Sequence, residues 1–326
     1  MTLLRDFYDG RKVLITGHTG FKGSWLCRIL KCLDAEIYGY SLEPPTEPNL
    51  YDIIDSDSYV KSEIGDVSDY DHLYDFYSDV KPEVVFHLAA QPIVLQGYQD
   101  PRGTYLSNVM GTVNTMECVR KVGAKSVVNI TTDKVYDNDD STHLYVETDR
   151  LDGFDPYSNS KSCSELVTHS YVRSFPDSMP PTSTARAGNV IGGGDYAPNR
   201  IIPDCIRSAI KGDRIFVRNP NSIRPYQHVL EPLYSYLIIA AKQCLDNSVS
   251  GNYNIGPDEK DCLKTGELAE LFCNFWGNGQ EWYSDNYSGP HESSYLKLDN
   301  NHIRCVMGIS PIWDAKKAVE KTVSWT

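Results

Sequence analysis

The stretch Lys12-Val13-Leu14-Ile15-Thr16-Gly17-His18-Thr19-Gly20-Phe21-Lys22-Gly23 decides the fold of this chain. Its apolar first half is typical of a buried strand, and the apolar residues that follow recur with the period of a helix. A strand, a glycine turn and a helix in this order predict a dinucleotide-binding unit. The first glycine allows the tight turn, the second lets a pyrophosphate approach the backbone, and the third lets helix and strand pack closely. The residues predicted to hold the dinucleotide at this turn are Gly17, Thr19, Gly20, Phe21, Lys22 and Gly23.

Further apolar runs alternate with helical patterns through the first half of the chain. They predict strands over residues 36–40, 59–64, 83–88 and 126–130. Such alternation favours the α/β class, with a doubly wound, Rossmann-type parallel sheet that binds ligands at the carboxyl ends of its strands. The residues predicted at those ends to line the cofactor site are Asp66, Val67, Leu88, Ala89, Ala90 and Thr131.

The regular alternation weakens beyond about residue 180, where polar, glycine-containing and proline-containing segments become frequent. We therefore expect two parts. Residues 1–180 would form the dinucleotide-binding domain with its catalytic residues. Residues 181–326 would form mainly a smaller α/β lobe for the substrate, with some segments returning to the first domain.

Composition narrows the classes of protein to which the chain can belong. The 326 residues carry a net charge of -13 without a cluster of Lys and Arg, which argues against nucleic acid as a partner. Nine scattered cysteines without a C-x-x-C pair indicate free thiols in a reducing cytoplasm. No leader pattern and no run of eighteen apolar residues occurs, so we expect neither export nor a membrane span. No His and Cys cluster has the spacing of metal ligands, so we expect no metal.

Tyr157 and Lys161 form the first candidate catalytic group. They are four residues apart in a predicted helix, which places both side chains on one face. A nearby cation favours the phenolate, so we expect Lys161 to bring the pKa of Tyr157 down towards working pH. Tyr157 would then deprotonate a sugar hydroxyl, and Lys161 would also reach the nicotinamide ribose.

A second candidate group, Thr132-Asp133-Lys134, follows the predicted fifth strand. The hydroxyl of Thr132 suits a hydrogen bond to the substrate oxygen. Asp133 is a candidate general acid for a departing hydroxyl if burial raises its pKa, and Lys134 is a candidate base for a carbon acid. The alternative is structural: Asp133 caps a turn and Lys134 is solvated. The presence of Tyr157 and Lys161 favours the chemical interpretation.

The residues after the second predicted strand leave the choice of dinucleotide open. An acid there would indicate NAD and an arginine NADP, but Ser41 and Leu42 occupy these positions, with Glu43 one step later.

Several motifs together resemble the extended short-chain dehydrogenase/reductase family, and within it the CDP-glucose 4,6-dehydratase subgroup. The resemblance covers nearly the whole chain. It rests on 16-TGHTGFKGSWL-26, Asn108-Val109-x-Gly111-Thr112, Tyr157-x-x-x-Lys161, 39-GYSLEPPT-46, Asp133-Lys134 and 188-GNVIGGGD-195. The subgroup has Lys where related dehydratases have Glu, as Lys134 is here, and it lacks the ribose-binding acid. Thr132 and Val135 depart from the residues that several relatives carry.

The resemblance implies NAD as cofactor and Asn108 as a further cofactor-binding residue. It implies a redox-neutral dehydration of a nucleotide-linked hexose, CDP-glucose first, that gives a 4-keto-6-deoxy sugar for surface glycans. It also implies a homodimer through a four-helix bundle, built from long helices over residues 101–122 and 157–175. The residues it implies for the substrate are Gln91, Asn189, Arg200, Arg218, Arg224, Asn254 and His291.

Two other functions remain open at this point. A 4-epimerase of the same family also oxidises C4 but expels no water, and such enzymes usually carry a small or hydroxyl residue at the position of Asp133. A non-catalytic NAD-binding regulator tends to keep the glycine turn and lose the tyrosine–lysine pair, whereas this chain has both.

Overall fold

The computed structural model describes residues 2–285, 289 and 293–326. Its strands are β1 (Lys12–Thr16), β2 (Glu36–Ser41), β3 (Val60–Ile64), β4 (Val84–His87), β5 (Ser126–Thr132), β6 (Leu144–Tyr145), β7 (Thr182–Ala187), β8 (Val190–Ile191), β9 (Ile215–Phe216), β10 (Ile223–Arg224), β11 (Gln227–His228), β12 (Asn252–Ile255), β13 (Leu263–Lys264), β14 (Trp282–Tyr283) and β15 (Lys297–Leu298). Its α-helices are α1 (Thr2–Tyr8), α2 (Phe21–Cys32), α3 (Leu50–Ile53), α4 (Tyr70–Val80), α5 (Val94–Gln99), α6 (Pro101–Tyr105), α7 (Gly111–Val122), α8 (Pro156–Ser174), α9 (Ile201–Lys211), α10 (Leu230–Leu245), α11 (Thr265–Trp276), α12 (Asn301–Met307) and α13 (Ala315–Trp325).

The central sheet of the described chain has seven strands in the order β12-β7-β5-β4-β1-β2-β3. Every neighbouring pair in it runs parallel. The chain moves outward from β1 to β3, returns to β4 on the other side of β1 and continues outward. The crevice at the carboxyl ends of β1 and β4 is the usual ligand site of such a sheet. The predicted doubly wound fold is confirmed.

The sheet is buried on both faces, which explains why its strands have nearly continuous apolar runs. One face packs against α2 and α10 with a core that includes Ile15, Leu26 and Leu237. The other face packs against α4 and α7 with Leu14 and Met116. These layers hold the strand ends, and thus the site, on a rigid support.

The predicted bounds of the first five strands differ from the observed bounds by two residues or fewer. β5 is the informative difference, because it continues beyond the predicted end at residue 130 through Thr131 and Thr132. Both threonines are therefore part of the sheet and start a 3-10 turn, Asp133–Val135.

The predicted long helix over residues 101–122 is not one regular α-helix. A π-helical turn, Leu106–Met110, separates α6 from α7. This turn places the side chain of Asn108 in the interior, where it binds residues outside its own helix.

The second half supplies short elements around the carboxyl edge of the sheet. β8 pairs with β11, β9 with β14, β10 with β13, and β15 with β6. β12 joins the central sheet beside β7. No helix in the described part of the chain is long and apolar enough to cross a membrane.

Candidate active site

The glycine turn between β1 and α2 has the geometry of a dinucleotide cradle. Gly17 has φ +78°, and a Cβ there would lie 2.7 Å from the backbone nitrogen of Ala89. A Cβ on Gly23 would lie 2.2 Å from the carbonyl oxygen of Gly17. A Cβ on Gly20 would meet nothing closer than 3.5 Å, so space for a ligand remains beside this backbone. The three glycines therefore fit the three roles predicted for them, and the residues present suit a bound dinucleotide.

The end of β2 carries hydroxyl groups where an acid or an arginine would bind the ribose. The Thr19 hydroxyl donates to the carbonyl oxygen of Leu42 at 2.8 Å and lies 2.9 Å from the Ser41 hydroxyl. Ser41 is buried. This pair connects the glycine turn to β2 through neutral groups.

Other predicted cofactor residues lie at the expected strand ends. Val67 and Ala89 are buried there, whereas Asp66 is exposed and accepts a hydrogen bond from the Ser68 amide. Leu88 and Ala90 are partly buried after β4.

Asn108 and Gln91 hold each other and do not line the main cavity. The Gln91 amide donates to the Asn108 side-chain oxygen at 2.7 Å, and the Asn108 side-chain nitrogen donates to the Ser160 hydroxyl at 2.8 Å. The Gln91 side chain donates to Thr104 at 2.9 Å and accepts from the Ile93 amide at 2.6 Å. These side chains fix the loop after β4 against α8, and their role as binding residues stays a prediction.

A cavity of about 270 Å³ lies at the carboxyl edge of the sheet and joins the two halves of the chain. It brings together many of the predicted residues from distant segments: Phe21, Lys22, Thr131, Thr132, Asp133, Lys134, Tyr157, Asn189, Arg200, Arg218 and Arg224. The lining of this one cavity therefore includes candidate acids, bases and cations. General acid–base chemistry on an anionic substrate needs this arrangement.

Tyr157 and Lys161 lie on the buried face of α8, one turn apart. The ammonium of Lys161 donates to the carbonyl oxygen of Ile130 at 3.0 Å. Burial lowers the pKa of Lys161 to about 8. Burial likewise raises the pKa of Tyr157 to about 12, although a hydrogen bond with Thr132 acts in the opposite direction. The expectation that Lys161 brings the Tyr157 pKa towards working pH is therefore wrong for the chain alone: desolvation outweighs the charges around the phenol.

Asp133 has the environment of a general acid. Its Oδ1 accepts a hydrogen bond from the Thr132 hydroxyl at 3.0 Å, whereas its buried Oδ2 has no hydrogen-bond partner among the described residues. Burial raises the pKa of Asp133, with the nearby charge of Lys134 opposing the shift. Asp133 is 2% exposed, and it begins the turn Asp133–Val135. A carboxyl group that keeps its proton more readily suits proton donation to a leaving hydroxyl.

Lys134 is half-buried and lines the main cavity and a small adjoining one. Val94 lines both cavities as well. The Lys134 side chain is therefore part of the reaction space and not of the outer surface.

Lys22 contributes its side chain to the cavity as well as its backbone to the glycine turn. Burial and the charges of Arg200 and Lys161 lower its pKa to about 7, against the opposing effect of Asp133. An anion bound beside it, such as a dinucleotide pyrophosphate, would raise this pKa and favour the ammonium form.

The predicted substrate arginines converge from separate segments. Arg224 is 4% exposed and donates to the carbonyl oxygens of Ile223 and Ser293. Arg200 pairs with the buried carboxylate of Asp195 at 3.0 Å. Arg218 donates to the carbonyl oxygen of Asn199 at 3.0 Å. Guanidinium groups at a partly enclosed wall suit phosphate oxygens.

Asn254, another predicted substrate residue, lies in the interior, and its role in binding stays a prediction. It is fully buried and does not line the cavity. Its side-chain oxygen accepts from the Tyr136 hydroxyl at 2.6 Å, and its nitrogen donates to the carbonyl oxygen of Tyr145 at 2.8 Å. His291, the last predicted substrate residue, lies outside the described residues.

Sequence reasoning missed several residues of the cavity wall. The apolar segment after β4, Phe216 on β9, two hydroxyl-bearing residues that flank β10 and the first residue of α11 contribute to it. These residues are Pro92, Ile93, Val94, Leu95, Phe216, Ser222, Tyr226 and Thr265. None belongs to a local motif, so only the three-dimensional contacts identify them.

Comparison with known proteins places these features in a family. The model of the NAD dependent epimerase/dehydratase family matches residues 13–256. The chain belongs to this family. NAD is its cofactor, which resolves the choice that the residues after β2 leave open, and the resemblance to extended short-chain dehydrogenases/reductases is confirmed.

Relatives of this epimerase/dehydratase include dehydratases that match nearly its full length. The chain is 42% identical to the CDP-glucose 4,6-dehydratase of Salmonella typhimurium, over 98% of this chain and 92% of that protein. It is 29% identical to the dTDP-glucose 4,6-dehydratase of Neisseria meningitidis, over 97% and 93% of the two chains.

Solved structures confirm the fold. The dTDP-glucose 4,6-dehydratase of Bacillus anthracis in complex with NAD has a TM-score of 0.81 and 20% identity, covering 97% of this chain and 96% of its own. The UDP-glucuronic acid 4-epimerase of Bacillus cereus has a TM-score of 0.84 and 21% identity, covering 96% and 98%.

The glycine cradle gives a prediction that separates binding from folding. Gly20→Ala adds a methyl in open space, so we expect nearly unchanged thermal stability but NAD affinity lower by about tenfold or more, or ~1.4 kcal/mol. Gly23→Ala forces the turn apart, so we expect a loss of about 1–3 kcal/mol of stability. Thermal melting and NAD titration of both variants measure this difference. Equal NAD affinity in Gly20→Ala and the unaltered protein would contradict the cradle.

Proposed function

We propose that this chain is a CDP-glucose 4,6-dehydratase, which converts CDP-D-glucose to CDP-4-keto-6-deoxy-D-glucose. The observation that carries the proposal is that Asp133, Lys134 and Tyr157 line one cavity, where a buried carboxyl oxygen of Asp133 has no hydrogen-bond partner in the described part of the chain. The similarity to the Salmonella typhimurium dehydratase supports the substrate.

Tyr157 is the base for the first step. NAD, when bound, supplies a positively charged ring that accepts a hydride from C4 of the hexose and returns it at C6. Tyr157 takes the proton of the C4 hydroxyl, while Thr132 orients that oxygen. Because burial holds the pKa of Tyr157 at about 12, loss of its proton depends on positive charge brought into the site. The positively charged ring of bound NAD would supply that charge.

Asp133 and Lys134 carry out the elimination. A keto group at C4 makes the hydrogen on C5 acidic, and Lys134 removes it as a proton. Asp133 donates its proton to the C6 hydroxyl, which leaves as water. Burial raises the pKa of Asp133, which favours the protonated form that this step needs. When hydride returns to C6, C5 takes a proton back from Lys134, which exchanges protons with solvent.

The cationic wall holds the nucleotide diphosphate. Arg200, Arg218 and Arg224 lie on the cavity, and their forked donors match phosphate oxygens. We assign the pyrophosphate of the substrate to this wall and the hexose to the end near Tyr157. Asn189 lines the path between them, and His291 remains a proposed nucleotide contact. Residues 181–326 would therefore serve mainly as the substrate lobe.

Asp133 also argues against a 4-epimerase. Epimerisation returns hydrogen to C4 and needs no acid for a C6 hydroxyl. A buried carboxyl beside the C4 base, with one oxygen unpartnered among the described residues, fits the acid that loss of water requires.

A panel of nucleotide-linked glucoses with added NAD tests the substrate. We expect a 4-keto-6-deoxy product from CDP-glucose at a rate well above that from the UDP, dTDP and GDP analogues. A preference for another nucleotide would contradict the assignment of the base, and a C4 epimer without loss of water would contradict the reaction.

We further propose a cytoplasmic homodimer. All nine cysteines are unpaired, which fits a reducing compartment. Leu166 on α8 is 50% exposed, and Leu106 and Met110 of the adjacent π-helical turn are 39% and 45% exposed. These side chains form an apolar face on neighbouring helices, which is suited to a four-helix bundle with a second copy.

Leu166→Glu tests the dimer face. A carboxylate there would lose the burial of leucine, worth about 1.5–3 kcal/mol, and we expect the dimer to weaken roughly ten- to a hundredfold. Ile210→Glu on α9 is the control, since Ile210 is 69% exposed on another helix. Sedimentation over a range of concentrations measures the equilibrium. Equal effects of the two substitutions would refute this face as the interface.

A further inference from the structure

A buried ion pair lies behind the catalytic residues. Glu165 on α8 is 0% exposed and Arg186 on β7 is 1% exposed. The guanidinium donates through Nε to Glu165 Oε1 at 3.1 Å and through Nη2 to Oε2 at 2.9 Å. This two-point geometry fixes both side chains. A buried pair is a poor source of stability, because desolvation offsets the attraction, so its presence points to another role.

Two further hydrogen bonds of the pair reach the chain on both sides of Asp133 and Lys134. Before them, the Thr131 hydroxyl donates to Glu165 Oε1 at 2.5 Å. After them, Arg186 Nη1 donates to the Tyr136 hydroxyl at 2.9 Å. The pair thus holds both ends of the segment that carries the acid and the base.

The same carboxylate is linked to Lys161 through α8. Glu165 lies one helical turn after Lys161, and both face the interior. Lys161 binds the carbonyl oxygen of Ile130, and Glu165 binds the next residue, Thr131. Two successive turns of α8 therefore clasp two successive residues of β5.

We propose that Glu165, fixed by Arg186, is a positioning residue that holds Lys161 and the segment from Thr131 to Tyr136 in their catalytic arrangement. This proposal rests on the proposed dehydratase function. Glu165 acts through Lys161 and β5 and does not itself line the cavity.

The charges around Lys161 predict a measurable consequence. Lys22 of α2 and His87 of β4 interact with it, and burial leaves His87 neutral by lowering its pKa to about 3. Glu165 raises the pKa of Lys161, against the larger lowering by burial. Tyr157 lies one turn from Lys161 on the same helix. The charge of Asp133 raises the pKa of Lys22 and of Tyr157.

Loss of the Glu165 charge would lower the Lys161 pKa further. Lys161 would then lose its proton at a lower pH. Activity and NAD binding that need its ammonium would therefore begin to fall at a lower pH as the pH is raised. For Glu165→Gln we expect the alkaline limb of kcat/KM, and the alkaline loss of NAD affinity measured without substrate, to move down by about one pH unit. At pH values well above the limb, kcat/KM and NAD affinity would therefore be about tenfold lower than in the unaltered protein. We also expect kcat to fall more than KM rises, because the segment of Asp133 and Lys134 loses an anchor.

Thr184→Val is the matched control. Thr184 donates to Glu165 Oε2 at 2.7 Å from the side away from Thr131 and Lys161. Its loss removes a hydrogen bond from the pair but leaves the carboxylate charge, so we expect lower stability with an unchanged alkaline limb. A limb that stays in place in Glu165→Gln, or that moves equally in Thr184→Val, would overturn the proposal.

A second variant keeps the test decisive if Glu165→Gln fails to fold around the unpaired arginine. The double variant Glu165→Gln/Arg186→Met removes both charges, and such replacements of a buried pair are often tolerated. We expect it to fold and to retain the displaced limb, whereas an unchanged limb would overturn the proposal. NAD titration needs no sugar nucleotide. If the unaltered protein fails to turn over CDP-glucose, the proposed function is wrong, and the titration still decides the role of Glu165.

Discussion

Asp133→Asn is expected to lower the rate of water elimination by about 10²- to 10⁴-fold, the usual contribution of a general acid. The amide keeps the size and the Thr132 contact of the carboxyl group but has no proton to donate to the C6 hydroxyl. Oxidation at C4 depends on Tyr157 and should persist. Absorbance of reduced cofactor and mass analysis of the sugar nucleotide measure the two half-reactions separately.

Asp137→Asn is the control for this substitution. Asp137 follows in the same loop, but its side chain is 49% exposed and pairs with Arg150 at the surface. We expect full activity from it. Equal loss of C4 oxidation and elimination in Asp133→Asn would show that Asp133 does not act as the acid.

Tyr157→Phe is expected to abolish both half-reactions, with a fall in kcat of about 10²- to 10⁴-fold. Phenylalanine fills the same buried space, so the protein should fold and bind NAD, but no group would take the C4 hydroxyl proton. Tyr234→Phe, at a tyrosine 39% exposed on α10, is the control. Turnover of Tyr157→Phe within tenfold of the unaltered protein would refute the enzymatic assignment of this tyrosine.

The parts of the fold set by local pattern were predictable from the sequence. The apolar run Lys12–Thr16 and the three glycines that follow it predicted β1, the turn and α2. Strand burial and glycine conformation depend on a few neighbouring residues, so a local pattern suffices. Asp133 and Tyr157 were predictable as site residues, because motifs at strand ends and helix spacing fix which way they face.

The electrostatics and the long-range contacts were not predictable. The pKa of Tyr157 depends on how completely its phenol is desolvated, which spacing alone does not give. Asn254 matched a family position, yet Tyr136 and Tyr145 occupy its side chain inside the protein. The pair of Glu165 and Arg186 joins a helix and a strand that share no motif.

The π-helical turn at Leu106–Met110 illustrates the same limit. Its apolar pattern resembles that of an α-helix, and within the turn Asn108 binds Gln91 and Ser160, which are remote in sequence. Helix continuity in this region is therefore decided by tertiary contacts.

The central claim is that Asp133, Lys134 and Tyr157 together remove water from CDP-glucose. The most direct test is incubation with CDP-glucose and NAD in deuterated water, followed by mass and NMR analysis of the product. We predict a product that has lost one water and gained one deuterium at C5, because the proton that Lys134 removes exchanges with solvent before a proton returns to C5. A sugar nucleotide of unchanged mass with inverted C4, or recovered substrate without change, would contradict the account.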